Sequence, residues 1–289
     1  MTGARMPTWL SACVPVVVGA LVMIGGRAPL ARWGGHLGAG AVGIALYVAL
    51  VKTAVRGSLP RSISTWSAAV AWCLVASTLL SSGLDGVHRW QELGAIRVHP
   101  SQLLAPVLLV FAARQRGRFL VRAHVVLLGL QAVHLLQPDA GQATAVGAGA
   151  AGFVLSMSGP RWRYLLAFTY LATAAVTWLR FDPLLPAPYV EDIVGRAFAL
   201  TPAAGVAAAL SLALLVVAPL LDGRLEPESR PAVVALVGYF FGSLVAVRFG
   251  QFPVPLLGFA PSATLGAFAG FAALTAGRAS RPASSAGCT

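Results

Sequence analysis

The chain has 289 residues, of which 57% are hydrophobic and only 10% are charged, and its mean hydropathy is +0.78. Soluble domains carry roughly 25% charged residues, so this composition excludes an ordinary water-soluble protein and indicates a chain that lies in a lipid bilayer. The formal net charge of +12 is spread over short loops between apolar runs, which is typical of membrane topology and not of a nucleic-acid-binding surface.

Apolar runs separated by glycine, proline and charged residues predict about ten transmembrane helices, because roughly 20 apolar residues are needed to cross a bilayer. The chain is expected to form a single transmembrane domain over residues 1–277, followed by a disordered cytoplasmic tail over residues 278–289. We therefore predict an all-α polytopic membrane protein with helices over residues 9–26, 36–54, 63–82, 100–113, 119–137, 140–158, 162–180, 197–221, 231–250 and 254–277.

The distribution of charge predicts the orientation of these helices. With a cytoplasmic N-terminus, the predicted inner loops carry 14 basic residues and the outer loops carry 7, which is the asymmetry that the positive-inside rule requires. An even number of helices then places both termini in the cytoplasm. Six of the 9 acidic residues fall in outer segments, so the polar groups that could carry chemistry collect on the outer face.

The outer segment between the third and fourth helices, residues 83–102, holds a cation beside an interfacial aromatic residue. Arg89 precedes Trp90, and this pairing suits a lipid headgroup or a sugar phosphate. A loop that only anchors two helices at the interface would explain the same residues. The other candidate binding residues of this segment are Arg97, Ser101 and Gln102.

Two further outer segments carry acidic residues at helix starts. Asp139 follows Pro138 and can cap the sixth helix, where a carboxylate is stabilised by roughly 0.3–1 kcal/mol. Glu191 and Asp192 precede another apolar helix, with Arg196 one turn later. A carboxylate at a partly dehydrated surface can have a raised pKa and act as a general base, whereas a capped helix start with a salt bridge is the simpler alternative.

The last outer segment, residues 252–262, contains three prolines and leads into the final helix. Non-helical backbone at membrane depth is tolerated where it lines a cavity or is buried in protein, so this segment predicts a cavity wall. Arg248 lies just before it and would cost about 2.5–3.5 kcal/mol at the bilayer centre, so we expect it to snorkel or to face that cavity. Ser262 ends the segment as a further candidate binding residue.

The four outer segments match, in order and content, a set of known motifs. Residues 85–94 (DGVHRWQELG) and 99–102 (HPSQ) are similar to N-G-A-x-R-W-I-x-L-G followed by Q-P-S-E, and residues 136–143 (LQPDAGQA) are similar to L-Q-P-D-L-G-T-A. Residues 185–191 resemble L-P-E-x-H-T-D, and residues 254–262 resemble L-P-F-x-S-Y-G-G-S-S. The chain therefore resembles the SEDS family of cell-wall glycan polymerases, which includes FtsW and RodA.

The resemblance implies a SEDS-like fold with both termini cytoplasmic, located in the bacterial cytoplasmic (inner) membrane. It implies an inverting glycosyltransferase that polymerises a lipid-linked disaccharide, lipid II, and releases undecaprenyl pyrophosphate. Glu191, at the position of the family's essential Asp, or Asp192 would deprotonate the acceptor hydroxyl. A divalent cation as a possible cofactor and a class B penicillin-binding protein as a possible partner are implied in the same way. The pyrophosphate charge would be offset by Arg89, Arg97 or Arg196.

The sequence departs from the family's motifs at charged positions, which leaves two other functions open. The Glu of Q-P-S-E is Gln102, the Lys three residues later is Ala105, and the Glu of L-P-E is Ala187. A non-catalytic SEDS-like scaffold or regulator, which binds a polyprenyl lipid or a membrane partner, would explain these losses. A transporter of lipid-linked sugar would also fit a proline-lined cavity, although the sequence has no convincing inverted repeat.

Overall fold

The computed structural model describes residues 8–56, 63–94, 96–158, 161–221 and 228–279. These residues form a bundle of α-helices, and the only strands among them are two short ones that pair as an antiparallel hairpin. The predicted all-α membrane fold is therefore confirmed. The elements are α1 (Thr8–Gly25), α2 (Leu30–Val55), α3 (Ile63–Ala76) with a 3₁₀ turn (Ser77–Leu80), β1 (Gln91–Leu93), β2 (Ile96–Val98), α4 (Pro100–Ala113), α5 (Arg118–Leu136), α6 (Ala140–Ser156), α7 (Trp162–Thr177), α8 (Ile193–Leu200), α9 (Pro202–Leu221), α10 (Arg230–Phe249) and α11 (Pro261–Ala279).

The outside of the bundle is apolar, as expected for a surface in contact with lipid. By length and composition, α2, α5, α9 and α10 can each cross a membrane, and shorter apolar helices accompany them. Large hydrophobic side chains point outward along several helices, among them Leu165 at 68% exposure and Leu210 at 65% exposure. An apolar surface of this extent is not stable in water. The chain is thus a polytopic membrane protein.

Prolines account for two departures from the predicted helix bounds, whereas α2 simply begins at Leu30, six residues before its predicted start. The predicted helix over 197–221 is interrupted at Thr201, which is extended because a residue before proline disfavours the helical conformation. The predicted helix over 254–277 begins only at Pro261, because Pro253 and Pro255 cannot donate backbone hydrogen bonds in the preceding segment. The hairpin formed by β1 and β2 was not predicted.

Glycines allow the central helices to approach each other closely. A Cβ atom on Gly238 of α10 would lie 2.6 Å from the carbonyl oxygen of Ala148 on α6. A Cβ atom on Gly266 of α11 would lie 2.1 Å from the carbonyl oxygen of Gln102 on α4. Small residues at such crossings replace the hydrophobic driving force that helices lack in lipid. These contacts hold α4, α6, α10 and α11 together at the centre of the bundle.

The up-and-down course of the chain places alternate connections at one end of the bundle, beginning with the one between α1 and α2. The other four are the segments between α3 and α4, α5 and α6, α7 and α8, and α10 and α11. The four motif-bearing segments that the sequence predicts on the outer face lie at these four connections. The predicted tail begins with two helical residues at the end of α11, and the rest of it, residues 280–289, lies outside the described residues.

Candidate active-site cavity

The four motif-bearing connections at this end of the bundle line one cavity of about 550 Å³. Its wall contains residues from each of the four segments, within the ranges 84–102, 139–142, 183–191 and 251–263. The floor is completed by side chains of α10, including Tyr239. Residues that are up to 179 positions apart in the chain, Leu84 and Ala263, therefore belong to a single polar site.

Arg89 joins all four segments. Its guanidinium lies 2.6 Å from the Asp182 carboxylate and donates a hydrogen bond to the carbonyl oxygen of Pro138. The same group lies 5.4 Å from the ring centroid of Phe252 in the last segment. Arg89 is only 4% exposed, so its charge is held by these partners and not by water. Arg89, which the sequence predicts as a binding residue, therefore also holds the segments of the cavity together.

Asp139 is a buried carboxylate in a cluster of positive and polar groups. Its Oδ1 accepts a hydrogen bond from the Gln142 backbone N–H at 3.0 Å, which caps α6 as predicted, and lies 3.9 Å from Arg89 Nε. Its Oδ2 lies 3.2 Å from Nε2 of His99. Burial opposes ionisation, but the Arg89 charge and the His99 hydrogen bond together hold the pKa of Asp139 well below its ordinary value. Asp139 is thus ionised at neutral pH.

The surroundings of Glu191 shift the pKa of its carboxyl in the opposite direction from that of Asp139. It is partly buried in the cavity wall, and one of its oxygens accepts a hydrogen bond from the Ala187 backbone N–H at 2.7 Å. Burial raises the pKa of the Glu191 carboxyl, and the adjacent Asp192 raises it further, while the Ala187 N–H and the Arg32 charge oppose the rise. A carboxyl of raised pKa in a cavity wall is suited to accept a proton.

The backbone around Glu191 is fixed by the segment between α10 and α11. The Phe259 N–H donates to the Tyr189 carbonyl at 2.8 Å, and the Val254 N–H donates to the Val190 carbonyl at 3.1 Å. Tyr189 has a φ of +65°, a left-handed conformation that is uncommon for a side chain of this size. Glu191 is therefore presented by a constrained turn and not by a free loop.

The neighbouring Asp192 faces away from the cavity. Its Oδ1 accepts from the Tyr189 backbone N–H at 2.7 Å, and its Oδ2 lies 2.5 Å from Nε of Arg196, one turn along α8. The Arg196 guanidinium lies over the Tyr189 ring at 4.5 Å. Asp192 and Arg196 thus pair at the start of α8, and neither belongs to the cavity lining.

The structure brings most of the sequence-predicted site residues together. Ser101 lies beneath the wall, hydrogen-bonded at 2.7 Å to the buried His134, and Arg248 is exposed at the end of α10; neither lines the cavity. Arg97 lies at the rim, where it pairs with Glu92 at 3.1 Å and remains 57% exposed. The predicted residues that line the cavity are Arg89, Trp90, Arg97, Gln102, Asp139, Glu191 and Ser262.

Sequence reasoning missed several polar residues of the cavity, among them His99, Gln142 and Tyr239. The Tyr239 hydroxyl donates to Gln142 Oε1 at 3.1 Å across the floor. His99 contacts Asp139 and packs edge-on against the Trp90 ring at 5.8 Å between centroids. A tyrosine inside an otherwise apolar helix was the available signal for Tyr239, because a buried hydroxyl needs a partner.

The described residues do not offer a site for the divalent cation that the SEDS resemblance implies. No three His, Cys, Asp or Glu side chains within that part of the chain converge as metal ligands. The buried Asp139 carboxylate, the best oxygen ligand by charge, is already engaged by Arg89 and His99. We therefore assign no step to a metal ion.

Helices that face lipid and close around a polar, carboxylate-bearing cavity at one end define a polytopic membrane protein with a site at the membrane surface. The chain belongs to the FtsW/RodA/SpoVE family of cell cycle proteins, whose sequence model matches residues 30–196. This match confirms the resemblance to the SEDS family and identifies a bacterial membrane protein.

Individual relatives agree with the family. The probable peptidoglycan glycosyltransferase FtsW of Synechocystis sp. is 36% identical over 124 residues, which cover 37% of this chain and 31% of that protein. The chain thus spans about a third of the length of this curated relative.

Solved structures establish the shared fold. RodA from Thermus thermophilus superposes with a TM-score of 0.62 at 19% identity, over 95% of this chain and 97% of that chain. A chain of a peptidoglycan synthase complex that coordinates polymerization and crosslinking has a TM-score of 0.61 at 17% identity, over 94% and 97% of the two chains.

Proposed function

We propose that this protein is a membrane glycosyltransferase that polymerises a lipid-linked disaccharide, lipid II, on the outer face of the cytoplasmic membrane. The observation that carries the proposal is the place of Glu191, a carboxylate of raised pKa in the wall of a cavity built from all four family motifs. Family membership and the curated FtsW relative support this class of activity. Glu191 is assigned as the general base and Asp192 is not, because Asp192 lies outside the lining.

The proposed reaction needs one proton acceptor and a stabilised leaving group. Glu191 takes the proton of the acceptor sugar hydroxyl, and the hydroxyl oxygen forms a bond to the anomeric carbon of the donor. The bond between that carbon and the pyrophosphate oxygen breaks, so undecaprenyl pyrophosphate leaves with the electron pair and the configuration inverts. A pyrophosphate is a weak base, so it leaves without a second carboxyl as general acid, which most glycosidases need.

Two arginines of the lining support the leaving group in this proposal. Arg97 is more than half exposed at the rim, so its guanidinium can exchange Glu92 for a pyrophosphate oxygen at little cost. Arg89 is buried and paired, and its field acts on the site without direct contact. Fixed positive groups near developing negative charge lower the barrier most in a site that excludes water. The remaining binding residues are Trp90, Gln102 and Ser262.

A class B penicillin-binding protein is the proposed partner. The support is that one structurally similar chain was solved within a peptidoglycan synthase complex. The exposed apolar side chains at the cavity end, Leu179, Phe181 and Leu185, offer surface for such a contact, each at 83–88% exposure.

The proposal is tested by polymerisation of lipid II with the purified full chain. General-base catalysis contributes about 10²–10⁴-fold, so Glu191→Gln should lower the rate by at least about a hundredfold. Asp192→Asn, which keeps an acceptor for the Tyr189 N–H, should stay within about threefold of wild type and is the matched control. Equal rates for wild type and Glu191→Gln would exclude Glu191 as the base.

A non-catalytic, lipid-binding relative is the second candidate. The positions where the family motifs carry Glu are Gln102 and Ala187 in this chain, and both line the cavity as uncharged residues. This candidate predicts that the wild-type protein binds lipid II or undecaprenyl phosphate but forms no glycan, with or without a partner. Transport of the lipid-linked sugar is the less favoured alternative, and movement of labelled lipid II across liposomes containing the protein would identify it.

A further inference from the structure

A second, apolar groove lies at the end of the bundle opposite the cavity. It has a volume of about 240 Å³ and runs between α3, α4 and α5. Its apolar walls include Leu108, Phe111 and Leu127, and the polar side chains of its lining, Gln115 and Arg122, lie where α4 ends and α5 begins. The groove therefore has a hydrocarbon-like interior and a basic entrance.

The sequence around the entrance of the groove is rich in arginine. Arginines occupy positions 114, 116, 118 and 122, and the chain has no acidic residue between Glu92 and Asp139. An arginine cluster between transmembrane helices is the pattern that attracts anionic headgroups.

Two of these arginines are already engaged by the protein. Arg114 donates to the carbonyl oxygens of Ala273 and Leu274 at 2.7 and 2.8 Å, which ties α4 to α11. Arg116 donates to the carbonyl oxygens of Ala113 and Gln115. Neither guanidinium is therefore fully available to a ligand.

The other two arginines flank one aromatic ring and keep their donors. The guanidinium carbons of Arg118 and Arg122 lie 5.2 and 5.5 Å from the Phe119 ring centroid. Among the described residues, neither guanidinium has a carboxylate within 4.0 Å or a hydrogen-bond partner. Arg122 and Phe119 line the groove, and Arg118 lies next to it on the same ring. Stacking on Phe119 thus holds both cations beside the mouth of the groove, with their N–H groups free to bind an anion.

The depth of the groove corresponds to one leaflet. From Phe119 to Leu127, the lining follows α5 over eight residues, or roughly 12 Å at 1.5 Å per residue. One leaflet contributes half of a hydrocarbon core of about 30 Å. A transmembrane helix, about 10–12 Å wide with its side chains, is too broad for this volume. We propose that the groove binds an anionic phospholipid, with one acyl chain between α3 and α5 and its phosphate on Arg118 and Arg122.

Native mass spectrometry of the detergent-solubilised full chain tests the site. The protein is titrated with phosphatidylglycerol and, separately, with phosphatidylcholine of the same acyl chains. We expect one molecule of phosphatidylglycerol to bind per chain. We also expect it to bind more tightly than phosphatidylcholine does. A basic residue at an anionic surface contributes about a fivefold factor, so the double variant Arg118→Gln/Arg122→Gln should weaken phosphatidylglycerol binding about twenty-five-fold and remove the preference.

Two further variants make the result specific. Arg161→Gln neutralises an exposed arginine at the same end of the bundle but outside the groove, and should leave the preference unchanged. Ala123→Phe fills the groove and should weaken binding of both lipids. Equal affinity for the two lipids, or an unchanged preference in the double variant, would overturn the proposal. Loss of a dimer in Ala123→Phe with unchanged lipid binding would assign the groove to a second copy of the chain instead.

Discussion

Replacing Asp139 with asparagine would remove the negative charge that faces Arg89 and His99 while keeping the shape of the side chain. Asparagine caps helices about as well as aspartate, so the Gln142 N–H retains an acceptor at its present position. Because the two side chains have nearly the same volume, we expect the packing of α6 against its neighbours to be retained. Any loss of stability therefore reports the electrostatic role of the carboxylate.

The structure sets the expected size of that loss. The side chains of Asp139 and Arg89 are 2% and 5% exposed, so the pair is buried. Removing one partner of a buried ion pair costs about 3–5 kcal/mol. Because Asp182 remains 2.6 Å from the Arg89 guanidinium, we expect the lower end, about 3 kcal/mol. For a chain of this size, each kcal/mol shifts the melting temperature by about 2–4 °C, which gives a decrease of about 6–12 °C.

Thermal unfolding in one mild detergent, followed by tryptophan fluorescence, measures this decrease. The matched control is Glu92→Gln, which removes the exposed ion pair with Arg97, whose partners are 52% and 57% exposed. An exposed pair contributes about 0–1 kcal/mol, so the control should melt within about 4 °C of wild type. A melting temperature of Asp139→Asn within about 2 °C of wild type would refute the buried-pair reasoning. An equal loss in both variants would do the same.

Three further expectations follow from the same structure. The folded-state pKa of Asp139 is lowered, so its contribution to stability is complete above the unfolded value of about 3.9 and declines progressively as the pH falls from there toward the lowered folded-state pKa. The difference in melting temperature between wild type and Asp139→Asn should therefore begin to narrow below about pH 4 and shrink steadily at lower pH, and a constant difference would contradict this. Because burial raises the pKa of Glu191, the midpoint of the acid limb of the pH–rate profile for glycan synthesis should lie above the ordinary glutamate pKa of about 4.3. A midpoint at or below that value would contradict the assignment of Glu191 as the base. Gly238→Val should unfold at a clearly lower temperature than Gly38→Val. An added Cβ at Gly238 meets the Ala148 carbonyl at 2.6 Å, whereas one at Gly38 meets nothing within 4 Å. Equal melting temperatures would argue against the close crossing of α6 and α10.

The sequence predicted the class of fold because that class depends on composition and on the length of apolar runs. It predicted the order of the outer segments because the motifs stand in order along the chain. The break at Thr201 could have been predicted from Pro202 alone, since the residue before a proline disfavours helix. The break was not predicted because the residues on both sides of it are mostly apolar and resemble one continuous helix.

The contacts inside the cavity could not be read from the sequence. Arg89 pairs with Asp182, 93 residues away, and sequence spacing gives no information about such a partner. Asp192 and Glu191 are adjacent in sequence, yet only the turn at Tyr189 decides that Glu191 faces the cavity while Asp192 pairs with Arg196. The distinction between the two carboxylates is therefore a property of the tertiary structure.

Binding and turnover of lipid II by Glu191→Gln, measured on one preparation, test the central assignment most directly. Glutamine keeps the size of the side chain and can still accept the Ala187 N–H, so the affinity for lipid II should remain within about twofold of wild type. Because the amide cannot take a proton, glycan chains should form at least about a hundredfold more slowly in the same samples. Glycan formed at the wild-type rate by this variant would contradict the account.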